Sequence, residues 1–428
     1  MSVWLGDLTW PGGQSTGRTP GQCRIWPGAR CGTEHSVLDS VYRDAPTGHK
    51  VPRRGRTASG GPGVATTKRL YYLDNLRVAL TVLVIAHHVG QAYGPTGGYW
   101  PIQEAARAAI LAPFFTVNRS FFMSLFFMIS GYLVVMSCDS KEPWAFLKGR
   151  LLRLGIPVAV FGLLMVPLQL FVFSPGSPWP GFDVGHLWFL EHLLIFSACY
   201  ALWRIVRPAP SLNPASRLPA TCGQVAGSPA PLPGYFTILG LALALAVVTA
   251  VVRIWFPIDR WITILGFIRT AFADVPRDLT FFILGAVAYR RQWFERFPGS
   301  TGRVWLGVGV LAAVLMYAYQ MGLYRVLPLR GDAWGIAYPI WEMLLCCGMC
   351  IGLLVLFRDH LNTESPLSRA LGRSQYAAYI FHVPVVLLFQ LAVVSLALPP
   401  LAKFTVVTLV SVPATFWFSN WVRKPLYL

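Results

Sequence analysis

Ten apolar stretches recur between residues 73 and 421, and no other feature restricts the chain as strongly. They lie near 73–92, 120–137, 154–174, 187–205, 235–252, 275–289, 304–322, 335–357, 375–397 and 404–421. A membrane-crossing helix needs about 20 mostly apolar residues. A helix also satisfies its own backbone hydrogen bonds where lipid cannot. The chain is therefore predicted to be all-α: a polytopic integral membrane protein with about ten transmembrane helices. Composition agrees, with 55% hydrophobic residues, 13% charged residues and a mean hydropathy of +0.52. An ordinary soluble domain carries about 25% charged residues. The stretch 275–289 is the weakest, because Asp274, Pro276, Arg277 and Asp278 crowd its start.

In a soluble protein a net charge of +18 would suggest a nucleic-acid partner. Here the basic residues sit mainly at the ends of apolar runs, where they report topology, and no RNA- or DNA-binding motif is present. With the N-terminus inside, 22 Lys and Arg from Lys50 onward fall on the cytoplasmic side against 9 outside. The positive-inside rule then predicts both termini in the cytoplasm. The lipid bilayer is the partner this pattern requires.

Residues 1–68 are rich in Pro, Gly, Thr and Arg and lack apolar periodicity. Such a segment cannot bury enough surface to offset the entropy of ordering. It also lacks the apolar core of a signal peptide. It reads as a disordered cytoplasmic tail or as an extension from an early start codon. With no methionine between Met1 and Met123, a later start would use another codon, such as that of Val64. The membrane domain is predicted over 69–428, with a flexible polar loop at 207–234. The eight cysteines make no disulfide framework. Cys138, Cys199, Cys346, Cys347 and Cys350 lie in or beside apolar runs, where free cysteine packs as a small hydrophobe. No metal site is expected.

Ionisable side chains inside apolar spans are costly and mark functional sites by default. His87, His88, His186, His192, His382, Glu191 and Glu342 all lie in or beside spans. For His192 and Glu342 the simpler reading is a hydrogen bond to a neighbouring helix. The stretch LDNLRVALTVLVIAHH differs, because its polar groups are phased. Arg77 and His88 are eleven residues apart, which is about three turns and roughly 16 Å along one helix face. Asp74 stands one turn before Arg77 as an ion-pair partner. His88 falls near the bilayer centre, where a low dielectric favours a neutral imidazole able to accept a proton. Such a base can activate a hydroxyl for attack on a thioester. Arg77 could hold an anion at the cytoplasmic end, and an extended pantetheine arm would bridge the gap. His87, rotated about 100° from His88 on a helix, is expected to pack or support. Arg150 and Arg153, one turn apart after the second span, read equally as positive-inside anchors or as holders of a nucleotide-like donor's phosphates.

Taken together, these residues resemble the integral-membrane acyltransferase family 3, over roughly Arg69 to Leu428. The family's opening Arg and His match Arg77 and His88. Its FF-x-x-SG-[FY] signature resembles FFMISGYL from Phe126. Its R-x-x-R motif matches Arg150 and Arg153, with Pro157 following. GHLWFLEHLL from Gly185, FFILGAVAYRR and SQYAAYIFHVP, which holds His382, resemble later elements. The paired histidines followed by QAYG and GGYW look closer to the glucan biosynthesis protein C branch.

The resemblance implies O-acyl transfer, usually acetyl or succinyl, from cytoplasmic acyl-CoA to an extracytoplasmic carbohydrate or glycan. It implies a multi-pass bacterial inner (plasma) membrane protein with His88 catalytic and Arg77 supporting it. Arg150 and Arg153 would bind the donor. Glu191 is expected to tune His88, His186 and Trp188 to line the acceptor path, and His382 and Asp74 to contribute to binding. Acyl-CoA is a substrate, and no bound cofactor is expected. The chain ends just after the last span, so the membrane domain either presents the acyl group itself or works with separate glycan-biosynthesis proteins. On physical grounds alone, a transporter or flippase of a lipid-linked saccharide and a non-catalytic scaffold remain alternatives. Tyr93, Tyr99 and Trp100 could stack on sugars or form an interfacial aromatic belt.

Overall fold

The computed structural model describes residues 70–95, 100–173, 181–207, 231–329 and 331–423. The expectations for residues 1–68 and for most of the loop 207–234 lie outside them. A long helix stands at each of the ten expected stretches. These are α1 (Tyr71–Gly90), α2 (Leu111–Asp139), α3 (Pro143–Phe173), α4 (Trp188–Val206) and α5 (Tyr235–Trp255). They continue with α6 (Val275–Arg291), α7 (Gly299–Met321), α8 (Gly331–His360), α9 (Pro366–Val393) and α10 (Pro400–Val422). One small antiparallel hairpin, β1 (Ile262–Ile264) and β2 (Ile268–Thr270), precedes α6 and pairs Ile262 with Thr270.

Eight of these helices are long and apolar enough to cross a membrane; α1 and α6 fall outside that set. α6 has 17 residues and opens on Val-Pro-Arg-Asp, while α1 carries Asp74, Arg77, His87 and His88. Polar helices need protein partners in an apolar solvent, and both have them. α1 packs against α2, α8, α9 and α10, and α6 packs against α2 and α5.

Lipid supplies no hydrophobic drive between helices, so close approach rests on small residues. Gly131, in the FFMISGYL stretch, faces Gly285 of α6. A Cβ on Gly131 would stand 2.0 Å from the Phe282 carbonyl oxygen, and one on Gly285 would stand 1.9 Å from that of Met128. α7 and α8 meet in the same way, where a Cβ on Gly348 would fall 2.5 Å from the Gly309 nitrogen.

The charges that weaken α6 as an apolar span are neutralised where it packs. Arg277 reaches Glu342 of α8 at 2.6 Å and Asp278 at 3.2 Å. Glu342 also meets Arg253 of α5 at 2.6 Å. Asp274 stands 3.3 Å from Arg253 and 3.2 Å from Arg119 of α2, and Arg119 pairs with Asp259 as well. Ser124 donates to Asp278 at 2.6 Å and accepts from Arg277 Nε at 2.9 Å. Glu342 thus does pair with neighbouring helices, through two arginines rather than through a neutral hydrogen bond.

Candidate active site

The start of α1 is tied to the α8–α9 connection. Asn362 accepts the otherwise unpaired Tyr72 N–H at 3.2 Å, and Asn75 donates to the Leu361 and Thr363 carbonyls. The first bond satisfies a free N–H of the helix start, and together they tie the turn before Arg77 to that connection. Its guanidinium pairs with Asp74 at 3.8 Å. It also faces Gln375 of α9, whose amide oxygen accepts from Nη1 at 2.8 Å. Only the oxygen can accept from a guanidinium, so the arginine sets the orientation of the amide.

Two prolines position further groups by removing N–H donors. A proline has no N–H to offer the carbonyl four residues earlier. Pro157 thereby frees the Arg153 carbonyl, where α3 widens into a π-helical turn over Leu151–Gly155. The Tyr376 hydroxyl of α9 donates to that oxygen, and the Arg153 guanidinium lies 5.3 Å over the Tyr376 ring. Arg150 lies 5.2 Å over the Phe146 ring. Arg77, Arg150 and Arg153 are close enough to repel one another. Arg150 and Arg153 have no carboxylate ion pair among the described residues. Three cations held in proximity against their mutual repulsion form a ready anion site.

Pro384 frees the Ile380 carbonyl, and the His186 ring nitrogen Nε2 donates to it at 2.9 Å. Tyr379 donates its hydroxyl to the His186 carbonyl at 2.6 Å. His186 therefore stands against α9, with its ring 4.8 Å from that of His382 and 6.5 Å from that of His88.

His88 Nδ1 is 2.9 Å from the Val84 carbonyl oxygen, and His382 Nδ1 is 2.7 Å from that of Tyr379. A carbonyl oxygen can only accept, so both Nδ1 atoms carry hydrogen when the rings are neutral. His382 Nε2 then holds a lone pair, 3.3 Å from His88 Nδ1, and shares that hydrogen with Val84. What remains on His88 is Nε2, an in-plane lone pair with no hydrogen-bond partner among the described residues. His382 is fully buried. The arrangement is that of a base whose far nitrogen is fixed by two acceptors.

Beyond His88, toward the end of α1, the Trp100 ring lies 5.6 Å from that of His88. His87 faces the other way, into Phe114, Phe115 and Phe122. That is the packing role expected of it.

Of the residues singled out from sequence, Arg77, Asp74, His88, His186 and His382 gather along the α1–α9 contact, with Arg150 and Arg153 at the Arg77 end. Trp188 and Glu191 belong to a separate polar patch at the hairpin. The Glu191 carboxylate accepts the Arg269 backbone N–H at 3.0 Å, and Arg269 donates to Asp183 at 2.8 Å. Trp188 meets Trp261 edge-on at 5.6 Å. His88 takes its contacts from Val84, His382, Trp100 and His186 instead of Glu191. His192 packs between Trp188 and Phe196. Gln375 and Tyr376 escaped sequence reasoning. The available signal was their spacing, since Gln375 and His382 are seven residues apart, about two turns on one helix face.

Residues 70–420 match a family model described as an acyltransferase domain. Curated relatives include glucans biosynthesis protein C of Escherichia coli strains SMS-3-5 / SECEC and K12. Each is 26% identical over 349 residues, covering 75% of this chain and 83% of the relative. No solved structure matches the chain.

Proposed function

The chain belongs to the integral-membrane acyltransferase family 3, and from that membership we propose that it transfers an acyl group from acyl-CoA to a hydroxyl of an extracytoplasmic glycan. The observation that carries the proposal is the phased pair on α1: a three-arginine anion site at one end and an unpartnered imidazole nitrogen about three turns along. Charged phosphates of the donor bind Arg150, Arg153 and Arg77, and the pantetheine arm runs along the α1–α9 face to the thioester. Acetyl and succinyl are the donors proposed, and a glucan-type acceptor follows the name of the bacterial relatives.

His88 Nε2 takes the proton of the acceptor hydroxyl as its oxygen attacks the thioester carbonyl. The C–S bond breaks, the acyl–oxygen bond forms, and the proton passes to the CoA sulfur. His382 Nε2 strengthens the base by drawing on the Nδ1–H, since a hydrogen bond to the far nitrogen steadies the imidazolium that forms. The enzyme is proposed to sit in a bacterial inner membrane, with ten crossings and both termini cytoplasmic. Arg77 then faces the cytoplasmic donor pool. Separate glycan-biosynthesis proteins would supply and carry away the acceptor.

The test is label transfer from acyl-labelled acetyl-CoA or succinyl-CoA to envelope glycans, in membranes carrying wild type or His88→Ala. Label incorporated by wild type and lost in the variant is expected. A saccharide moved across the membrane unmodified, with no label incorporated from any donor, would replace this reading with transport.

A further inference from the structure

A neutral imidazole beside a thioester will deprotonate water as readily as a sugar hydroxyl. With water, acyl-CoA gives a free carboxylic acid and CoA thiol. With an alcohol it gives an ester and the same thiol, and in both cases one proton moves from the attacking oxygen to sulfur. An acyltransferase built on His88 must therefore keep water from Nε2, and its residues have to supply the barrier. This inference rests on the acyl-transfer reading above.

We propose that Trp100 is that barrier, the residue that selects an acceptor hydroxyl against water. Its indole lies 5.6 Å from the His88 ring and only 8% of the residue is exposed. This is an inward-facing wall rather than an interfacial belt or an open sugar platform. The attachment of the indole is unusually specific. Its Nε1–H donates to Gln390 Oε1 at 2.9 Å, and Gln390 Nε2 donates to the Val89 carbonyl, one residue past His88, at 3.0 Å. Gln390 is fully buried, and α9 thus carries a third polar rung after Gln375 and His382.

The chain following Trp100 is pinned as firmly. Glu104 N–H donates to the Ala92 carbonyl at 3.0 Å, and Ala108 N–H donates to that of Tyr93 at 2.8 Å. Lys403 of α10, 3% exposed, binds Glu104 at 2.7 Å and the Val394 carbonyl at 3.0 Å. A buried lysine and a buried glutamine are expensive in an apolar setting. Packing alone would need neither, because an apolar contact is non-directional. Gln390 holds the indole beside the imidazole, and Lys403 holds the chain that follows it.

The experiment uses full-length protein in membranes with native glycans and acyl-labelled acetyl-CoA, and it measures free acid and glycan ester together. In Trp100→Ala the acid-to-ester ratio rises severalfold over wild type, because a void at this polar site admits water. Gln390→Leu, which leaves the indole in place but unfastened, raises the ratio less. Trp100→Phe, which restores an aromatic wall without the N–H, returns it toward wild type. If Trp100→Ala is not recovered in the membrane, the Gln390→Leu ratio decides alone. Loss of acid and ester in equal proportion in these variants would overturn the proposal and leave Trp100 as packing. Wild type releasing no CoA would instead overturn the acyl-transfer reading, and this inference with it.

Discussion

α1 and α6 are the two polar helices, and they handle charge in opposite ways. On α6, Arg277 is met by Glu342 and Asp278, Asp274 by Arg253 and Arg119, and Ser124 bridges Arg277 and Asp278. The network consumes its own charges and leaves little to offer a ligand. Along α1, Asp74 serves a site with three arginines nearby, and His88 Nε2 has no hydrogen-bond partner among the described residues. A membrane span at its centre is disfavoured by about 2.5–3.5 kcal/mol for each Arg on insertion scales. Both helices carry ionisable groups that are costly in a span, but beside α1 two cations, Arg150 and Arg153, have no carboxylate ion pair among the described residues. A self-satisfied cluster holds helices in register, and an unsatisfied one binds and reacts.

Four experiments press on this difference. The largest effect is expected at His88. His88→Ala should lower acyl transfer by about 10²–10⁴-fold, the usual worth of a positioned general base, with membrane abundance unchanged. If abundance fell instead, α1 would be structural in the same sense as α6. Arg277→Ala should do the reverse. Removing one member of a buried ion pair costs about 3–5 kcal/mol of stability, read as a fall in detergent thermostability and yield, while activity per folded molecule holds. Full stability in that variant would refute the role given to the network.

Arg153→Ala should weaken donor binding by about 10–100-fold, the equivalent of about 1.5–3 kcal/mol for a lost charge-assisted hydrogen bond. It should appear in the KM for acyl-CoA more than in kcat, and weaken further with added salt. An effect confined to kcat would move Arg153 out of the donor site. The smallest change is expected from Tyr376→Phe. It removes the hydroxyl that serves the carbonyl freed by Pro157, a net loss of about 0.5–1.5 kcal/mol, read as a severalfold rise in the same KM. No change there would mean that the π-helical turn holds Arg153 without help from α9.

Much of the fold was legible because it depends on local pattern. Each apolar stretch became a helix, and even the doubt over 275–289 located a real feature, since its crowded charges are those of the ionic network. What escaped was the identity of their partners. Glu342 gives no local hint that Arg253 and Arg277 will converge on it. For the site, the Arg77–His88 phase was readable because it belongs to one helix. Glu191 was expected beside His88 but accepts from Arg269 on the hairpin, because the turn at Leu265 and Gly266 returns β2 to the start of α4.

By itself, the sequence determined that this is a helical membrane chain, where its long helices lie, and that one helix carries a cation and an imidazole on a shared face. These are consequences of hydropathy and of a 3.6-residue repeat, which act within a single segment. Only the tertiary structure decided what meets the His88 imidazole beyond its own helix, because His382, 294 residues further on, sets its Nε2 3.3 Å from the Nδ1 that already bonds Val84 one turn earlier. It also set Gln375 against Arg77 and the Trp100 indole beside His88. Such contacts arise where α9 packs along α1, and no repeat within either helix encodes the meeting.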